Sequence, residues 1–137
     1  MKWDAPTRKH KPIVSVSDYE KIDGIYANNT DAKALSLGFA QYDHDEISLK
    51  VWRFVNGKWS RQSEELPIHR NLDLSILFIK TLIEGYNEQS FLVKPEQKLT
   101  SHLENGSIQD IMDYYNANKA ILEPRLKELK RLLEEWL

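Results

Sequence analysis

The sequence has no cysteine, and only five glycines and five prolines among its 137 residues. Without cysteine there are no disulfides, thiolate metal ligands or cysteine nucleophiles, a composition suited to a reducing compartment. Charge of one sign is also lacking. Nineteen Lys and Arg against twenty-one Asp and Glu leave −2 at pH 7, so no global field draws the chain to nucleic acid or anionic lipid. No apolar run reaches the roughly 20 residues of a membrane span, and Met1–Pro6 holds no signal-peptide core. A cytoplasmic protein is expected, with neither membrane nor nucleic acid as partner. There is no P-loop, no G-x-G-x-x-G and no G-x-S-x-G. His10, His44, His69 and His102 show no paired metal spacing, and Asp43–Glu46 lacks the glycine and spacing of a calcium loop. No metal, cofactor or catalytic residue is expected on these grounds.

What is present centres on Leu35–Ile83. Leu35, Leu37 and Phe39 alternate with Ser36, Gly38 and Ala40, and Ile47, Leu49 and Val51 alternate with Ser48, Lys50 and Trp52. A period of two marks half-buried strands. A three-residue loop at Asp43–Asp45 would pair Phe39 with Leu49 and Leu37 with Val51, giving one wholly apolar face. This face is expected to be the buried one, because a one-residue slip would invert every side chain. Asn56-Gly57 is a two-residue hairpin turn, since both central positions need positive φ. It sets Phe54 opposite Trp59 and Trp52 opposite Arg61. Beyond Pro67 the spacing turns helical, through Ile68, Leu72, Ile76, Ile79 and Ile83. Leu74, Leu77, Phe78 and Leu82 widen the stripe until the helix is apolar almost all round, which predicts burial on more than one side. Gly85 is a suitable stop.

At 137 residues the chain suits a single domain. Residues 1–34 read as an irregular N-terminal segment, 35–85 as meander plus buried helix, and 86–137 as a helical C-terminal part. In the first, Ile13–Val16 can form a short edge strand, and Ser17–Glu20 fits a capping box opening one helical turn. Arg8, Lys9, His10 and Lys11 form a basic arm, solvated or touching phosphate. In the last, Pro95–Leu103 can make two helical turns. Ser107 with Asp110 caps a helix carrying Ile108, Ile111, Met112 and Tyr115 on one face. Pro124 implies a break between Asn116 and Glu123, because proline is tolerated best at a first helical position. Leu122, Leu126, Leu129, Leu133 and Trp136 then step by four and three, the seam of a coiled coil. Its apolar residues either pack on the chain's own core or, through Leu126, Leu129, Leu133 and Trp136, make a homodimer.

Two motifs, Lys21-Ile22-Asp23-Gly24 with Asn29–Gly38, and Lys58–Pro67 with His69-Arg70, resemble an uncharacterised family of small bacterial cytoplasmic proteins of unknown function. The resemblance covers Lys9–Glu84 and leaves out the C-terminal helices. It implies a bacterial, cytoplasmic origin and supplies no catalytic residues.

Two constellations carry chemistry. Lys50, Trp52, Phe54, Trp59 and Arg61 share one sheet face. Aromatics interleaved with cations can stack a base and neutralise a phosphate, or they pack across strands under the N-terminal segment. Tyr19, Ile22, Ile25 and Tyr26 are available as that cover. The second cluster is Glu64, Glu65, His69, Arg70 and Asp73. Asp73 lies four residues after His69 and can orient a general base, or the group is a salt-bridge network at a helix start. The architecture expected is α+β: a three-stranded antiparallel meander packed on a buried helix, with C-terminal helices. A non-enzymatic interaction or regulatory module is the leading function. The alternatives are a binder of a nucleotide or other small phosphate-bearing ligand, and an enzyme centred on His69.

Overall fold

The computed structural model describes residues 10–43, 45–60, 64–84, 91–92, 99–100, 102 and 104–137. The architecture is α+β, as the periodicities indicate, and the chain divides into two compact units, Met1–Asp73 and Leu74–Leu137. None of its described helices is long and apolar enough to cross a membrane.

The first unit is an open antiparallel sheet of five strands rather than three. They are β1 (Lys11–Val16), β2 (Ala32–Phe39), β3 (Ile47–Val55), β4 (Lys58–Trp59) and β5 (Glu64–Pro67). Neighbours run β1-β2-β3-β4, and β5 adds to β3 beside the start of that strand. The edge strand read at Ile13–Val16 is β1, which begins earlier, at Lys11, and carries a bulge between Pro12 and Val14; β5 is the further member. Asn56 and Gly57 both have positive φ, 51° and 76°, and Phe54 sits opposite Trp59 as the two-residue turn requires. Arg61, expected opposite Trp52, lies outside the described residues.

The β2–β3 register differs by two residues from the expected one. Phe39 pairs with Ile47, Leu37 with Leu49 and Leu35 with Val51. The turn is longer than three residues: the Ala40 amide bonds to the Glu46 carbonyl, and Asp43 accepts from the Asp45 amide. A shift of two leaves every side chain on its expected face, which is why the alternation survives the error.

Burial of the faces is the larger correction. Leu35, Leu37, Leu49 and Val51 are only half-buried and Phe39 is 42 % exposed. The buried face is the opposite one, made of Ala34, Ser36, Gly38 and Ala40 with Ser48, Lys50 and Trp52. Small side chains on β2 leave a shallow floor on which two large rings lie, those of Trp52 and His10. Ile22, Ile25 and Tyr26, expected to cover this face, are exposed instead. Ile25 and Tyr26 belong to the 3-10 turn Gly24–Tyr26, and Ile22 follows the 3-10 turn Tyr19–Lys21. Ser17 does not cap the first turn. Its N-cap is Asp18, in the left-handed region and without a side-chain bond.

Helix α1 (Ile68–Glu84) begins in the first unit. Ile68, Leu72, Leu74, Leu77 and Ile83 are exposed, against the expectation that this helix is buried on more than one side. The expected stop at Gly85, and most of the Pro95–Leu103 turns, lie outside the described residues. The second unit also holds α2 (Ile108–Ala117) and α3 (Lys119–Trp136). The Ser107 amide donates to Asp110 at 2.7 Å, closing the capping box the sequence announces. The break falls at Asn118, and α3 continues through Pro124 rather than starting there. Proline lacks the amide that would bond to the Ala120 carbonyl. Ala120 is exposed, so water can reach that carbonyl.

Candidate functional site

Of the aromatic-cationic face, which could meet a ligand or pack across strands, Lys50 and Trp52 are buried in the sheet, and Arg61 lies outside the described residues. Trp52 is 1 % exposed, and the Lys50 ammonium lies 3.8 Å from the centre of its ring. Trp59 meets Trp52 and Phe54 edge-on at 6.1 and 5.1 Å. Trp59 is half-buried and Phe54 exposed at the end of β3. No open floor remains at Lys50 and Trp52 on which a base can stack.

Below them lies a chain of hydrogen bonds whose direction follows from which groups hold protons. The Trp52 indole can only donate, so Ser36 Oγ accepts from Nε1 at 2.8 Å. The Ser36 hydroxyl is then free to donate to His10 Nε2 at 2.9 Å. On the other side the Ser48 hydroxyl donates to Glu65 Oε2 at 2.7 Å. Ser48 therefore accepts from His10 Nδ1 at 2.9 Å. This assigns His10 as the neutral Nδ1–H tautomer, with both ring nitrogens satisfied in a fully buried site. A second proton on Nε2 would turn the Ser36 hydroxyl away from its only acceptor among the described residues.

His10, Ser48 and Glu65 have the composition of a nucleophile, base and orienting acid, but not the order. The serine lies between the two, and its proton goes to the carboxylate rather than to the imidazole. Glu65 is committed further by the Gln41 amide at 2.9 Å. The group is a buried polar network that holds β1, β2, β3 and β5 together.

Burial holds the His10 pKa below 6.5, and Lys50 acts in the same sense while Glu65 opposes. The unfolded chain therefore binds more protons than the folded one between the lowered value and 6.5. Stability is fully present above pH 6.5 and falls as the pH drops through that window. Melting temperature followed from pH 8 to 5 (about that range) reads this slope. In His10→Asn the histidine contribution to it should vanish, whatever the variant's baseline stability.

The second expected cluster does not come together. Glu65 turns into the network, Glu64 pairs with Arg53 at 2.9 Å, and His69 and Arg70 are exposed. Asp73 is half-buried. No hydrogen bond or ion pair joins His69 to Asp73 among the described residues.

A cavity of about 450 Å³ opens elsewhere on the first unit. The two 3-10 turns supply Tyr19 and Tyr26, with Asp23 at their junction. The next turn supplies Asn29, Thr30 and Asp31, and Ala32 and Val51 form an apolar floor. Arg53 and Glu64 close the side. Three carboxylates face one guanidinium, a formal excess of two negative charges. That guanidinium is already engaged, by Asp31 at 3.4 Å and Glu64 at 2.9 Å. Asp31 is fixed in turn, because its carbonyl accepts from the Phe54 amide at 2.9 Å. Asp23 has no such ion pair among the described residues.

Three left-handed residues adjoin lining residues in the chain without lining the cavity themselves: Asp18 at φ 56°, Gly24 at 52° and Asn28 at 65°. Asp and Asn are the side-chain-bearing residues that tolerate this region best. Such backbone gathers at ligand sites, where the surrounding structure holds it. Sequence reasoning did not find the cavity. Arg53 belongs to β3 and Glu64 to β5, and no spacing relates them to the turns.

Residues 1–137 match a protein family described as a family of unknown function (DUF6530). The match extends through the C-terminal helices, which the resemblance read from the motifs omitted. No curated protein and no solved structure matches the chain.

Proposed function

We propose, for a chain that belongs to the DUF6530 family and takes no activity from that membership, a non-enzymatic small-ligand-binding module whose ligand is an organic cation. The observation that carries this reading is the charge of the cavity: three carboxylates and two tyrosines surround it, and its guanidinium is neutralised by two of those carboxylates. The volume falls within the range of small-molecule pockets, roughly 300–1,000 Å³. Carboxylate and aromatic faces together suit an ammonium group, by ion pairing and by attraction to the ring quadrupole. Asp23 takes the ammonium, Tyr26 and Tyr19 flank it, and Ala32 and Val51 receive the apolar body. Binding is favoured over catalysis because His10 and Ser48, the pair closest to base and nucleophile, are consumed in the buried network. The same excess of negative charge disfavours a phosphate-bearing ligand.

The test is a thermal-shift and calorimetric titration with butylamine, putrescine and tetramethylammonium, set against inorganic phosphate and AMP. A ligand that binds only the folded state raises the melting temperature with concentration, by about 2.7 kcal/mol of stability at a hundred times Kd. At least one amine should do so, and Asp23→Asn should weaken it by about tenfold or more. Stabilisation by phosphate or AMP with none by the amines would overturn the reading.

A further inference from the structure

Among the described residues the apolar seam of α3 is only partly covered within its unit: Leu122 and Leu126 are half-buried. The 18-residue helix contains no buried residue, and Leu129, Leu133 and Trp136 are 43, 46 and 86 % exposed. Leu122, Leu126, Leu129, Leu133 and Trp136 form one stripe with four-three spacing. In heptad terms Leu126 and Leu133 are a positions, and Leu122, Leu129 and Trp136 are d positions. Glu123 and Lys130 then flank the stripe on the e side, and Arg125 and Leu132 on the g side.

These flanking residues decide which partner helix fits. A parallel copy would bring g against e, setting Arg125 beside Lys130 of the second copy, two like charges. An antiparallel copy brings e against e. With Leu126 against Leu129 of the second copy, Glu123 meets Lys130 of the second copy, and symmetry makes that opposite-charge pair twice. The register is not arbitrary. Pairing Leu126 with Leu129 also pairs Lys119, the first residue of α3, with Trp136, the last. The helices therefore overlap over their full length, about 27 Å. At each end this register sets Lys119 opposite Trp136 of the second copy, a pairing that suits a cation–π contact. The ion pairs already on α3 bear on this differently. Glu128, Arg131 and Glu135 form a ladder away from the stripe. Glu123, at the edge of the stripe, pairs with Lys119 and Lys127 of its own helix.

We propose that the α3 face is a self-association surface, on which a second copy of this chain docks its own α3 antiparallel. Charge complementarity and the end-to-end register select that occupant. The inference is independent of the ligand pocket, which lies in the other unit.

Sedimentation equilibrium of the full chain at about 100 µM, where an interface of ordinary size is populated, should give a dimer. Leu129→Glu should give a monomer whose circular dichroism retains the native helix signal. Should that variant unfold, charge exchange replaces it. Glu123→Lys and Lys130→Glu should each weaken the dimer by about tenfold or more, and together restore it. A wild-type monomer at this concentration overturns the proposal. So does a dimer indifferent to Leu129→Glu or to the charge variants. Tightening by Lys130→Glu alone also overturns it, because only a parallel pair gains from that change.

Discussion

Trp52→Ala should lower the stability of the sheet unit by about 3–5 kcal/mol, the cost of emptying a buried tryptophan site. Three losses converge at this position. The ring is 1 % exposed, so its truncation leaves a void over Ala34 and Ser36 that the β2 backbone cannot close. The Lys50 ammonium loses the π face it rests on. The Ser36 hydroxyl loses its donor, which unsettles the order of protons through His10. Urea denaturation followed by the other tryptophans or by circular dichroism measures the total. Trp52→Phe separates the contributions, since it keeps most of the ring and the cation contact but removes the indole N–H. It should cost much less, about the 1–3 kcal/mol of a buried hydrogen-bond partner plus a small volume change. If Trp52→Ala loses under 1 kcal/mol, this face is not the core of the sheet.

Gly38→Ala should cost as much, for a different reason. A Cβ at position 38 would lie 2.0 Å from the Lys11 carbonyl oxygen, with the Lys11 carbonyl carbon and Pro12 Cα each at 2.8 Å. All three are backbone atoms of β1, so no side-chain rotation relieves the contact. The strand itself must move. Overpacking costs about 1–3 kcal/mol where side chains can adjust, and more where they cannot, so the upper end or beyond is expected here. The displacement should spread, because His10 immediately precedes β1 and bonds to Ser36 and Ser48. Hydrogen exchange gives the specific readout: amides of β1 should lose protection before those of the β2–β3 pair. Uniform loss across the sheet, or none, would show that β1 is not held through this close approach.

Much of the local structure could be read from residues one turn or one strand apart. Asn56-Gly57 dictated the hairpin and the Phe54–Trp59 pairing, because few residues accept positive φ at both turn positions. Ser107 with Asp110 announced the start of α2, a contact between residues three apart. Alternation along β2 and β3 sorted side chains onto two faces, since the pleat does so whatever packs against it. The α+β class followed from the change of period at Pro67.

What alternation leaves open is which of the two faces is covered. Hydropathy favoured Leu35, Leu37, Leu49 and Val51, but the burial went to Ser36, Ser48, Lys50 and Trp52. The reason is His10, twenty-six and thirty-eight residues away from the serines it bonds. A histidine in a basic run reads as solvated until a sheet brings two hydroxyls to its two nitrogens. Polar side chains can then be buried at little cost, because each finds a partner. The cavity is non-local in the same way. Asp23, Asp31, Arg53 and Glu64 stand on two turns and two strands, and their charges become one field only when β5 lies beside β3. Sequence by itself therefore determined the elements and the sorting of their faces, which rest on neighbours in the chain. Tertiary structure alone decided the buried face and the pocket, because both depend on distant residues whose partners only the fold supplies.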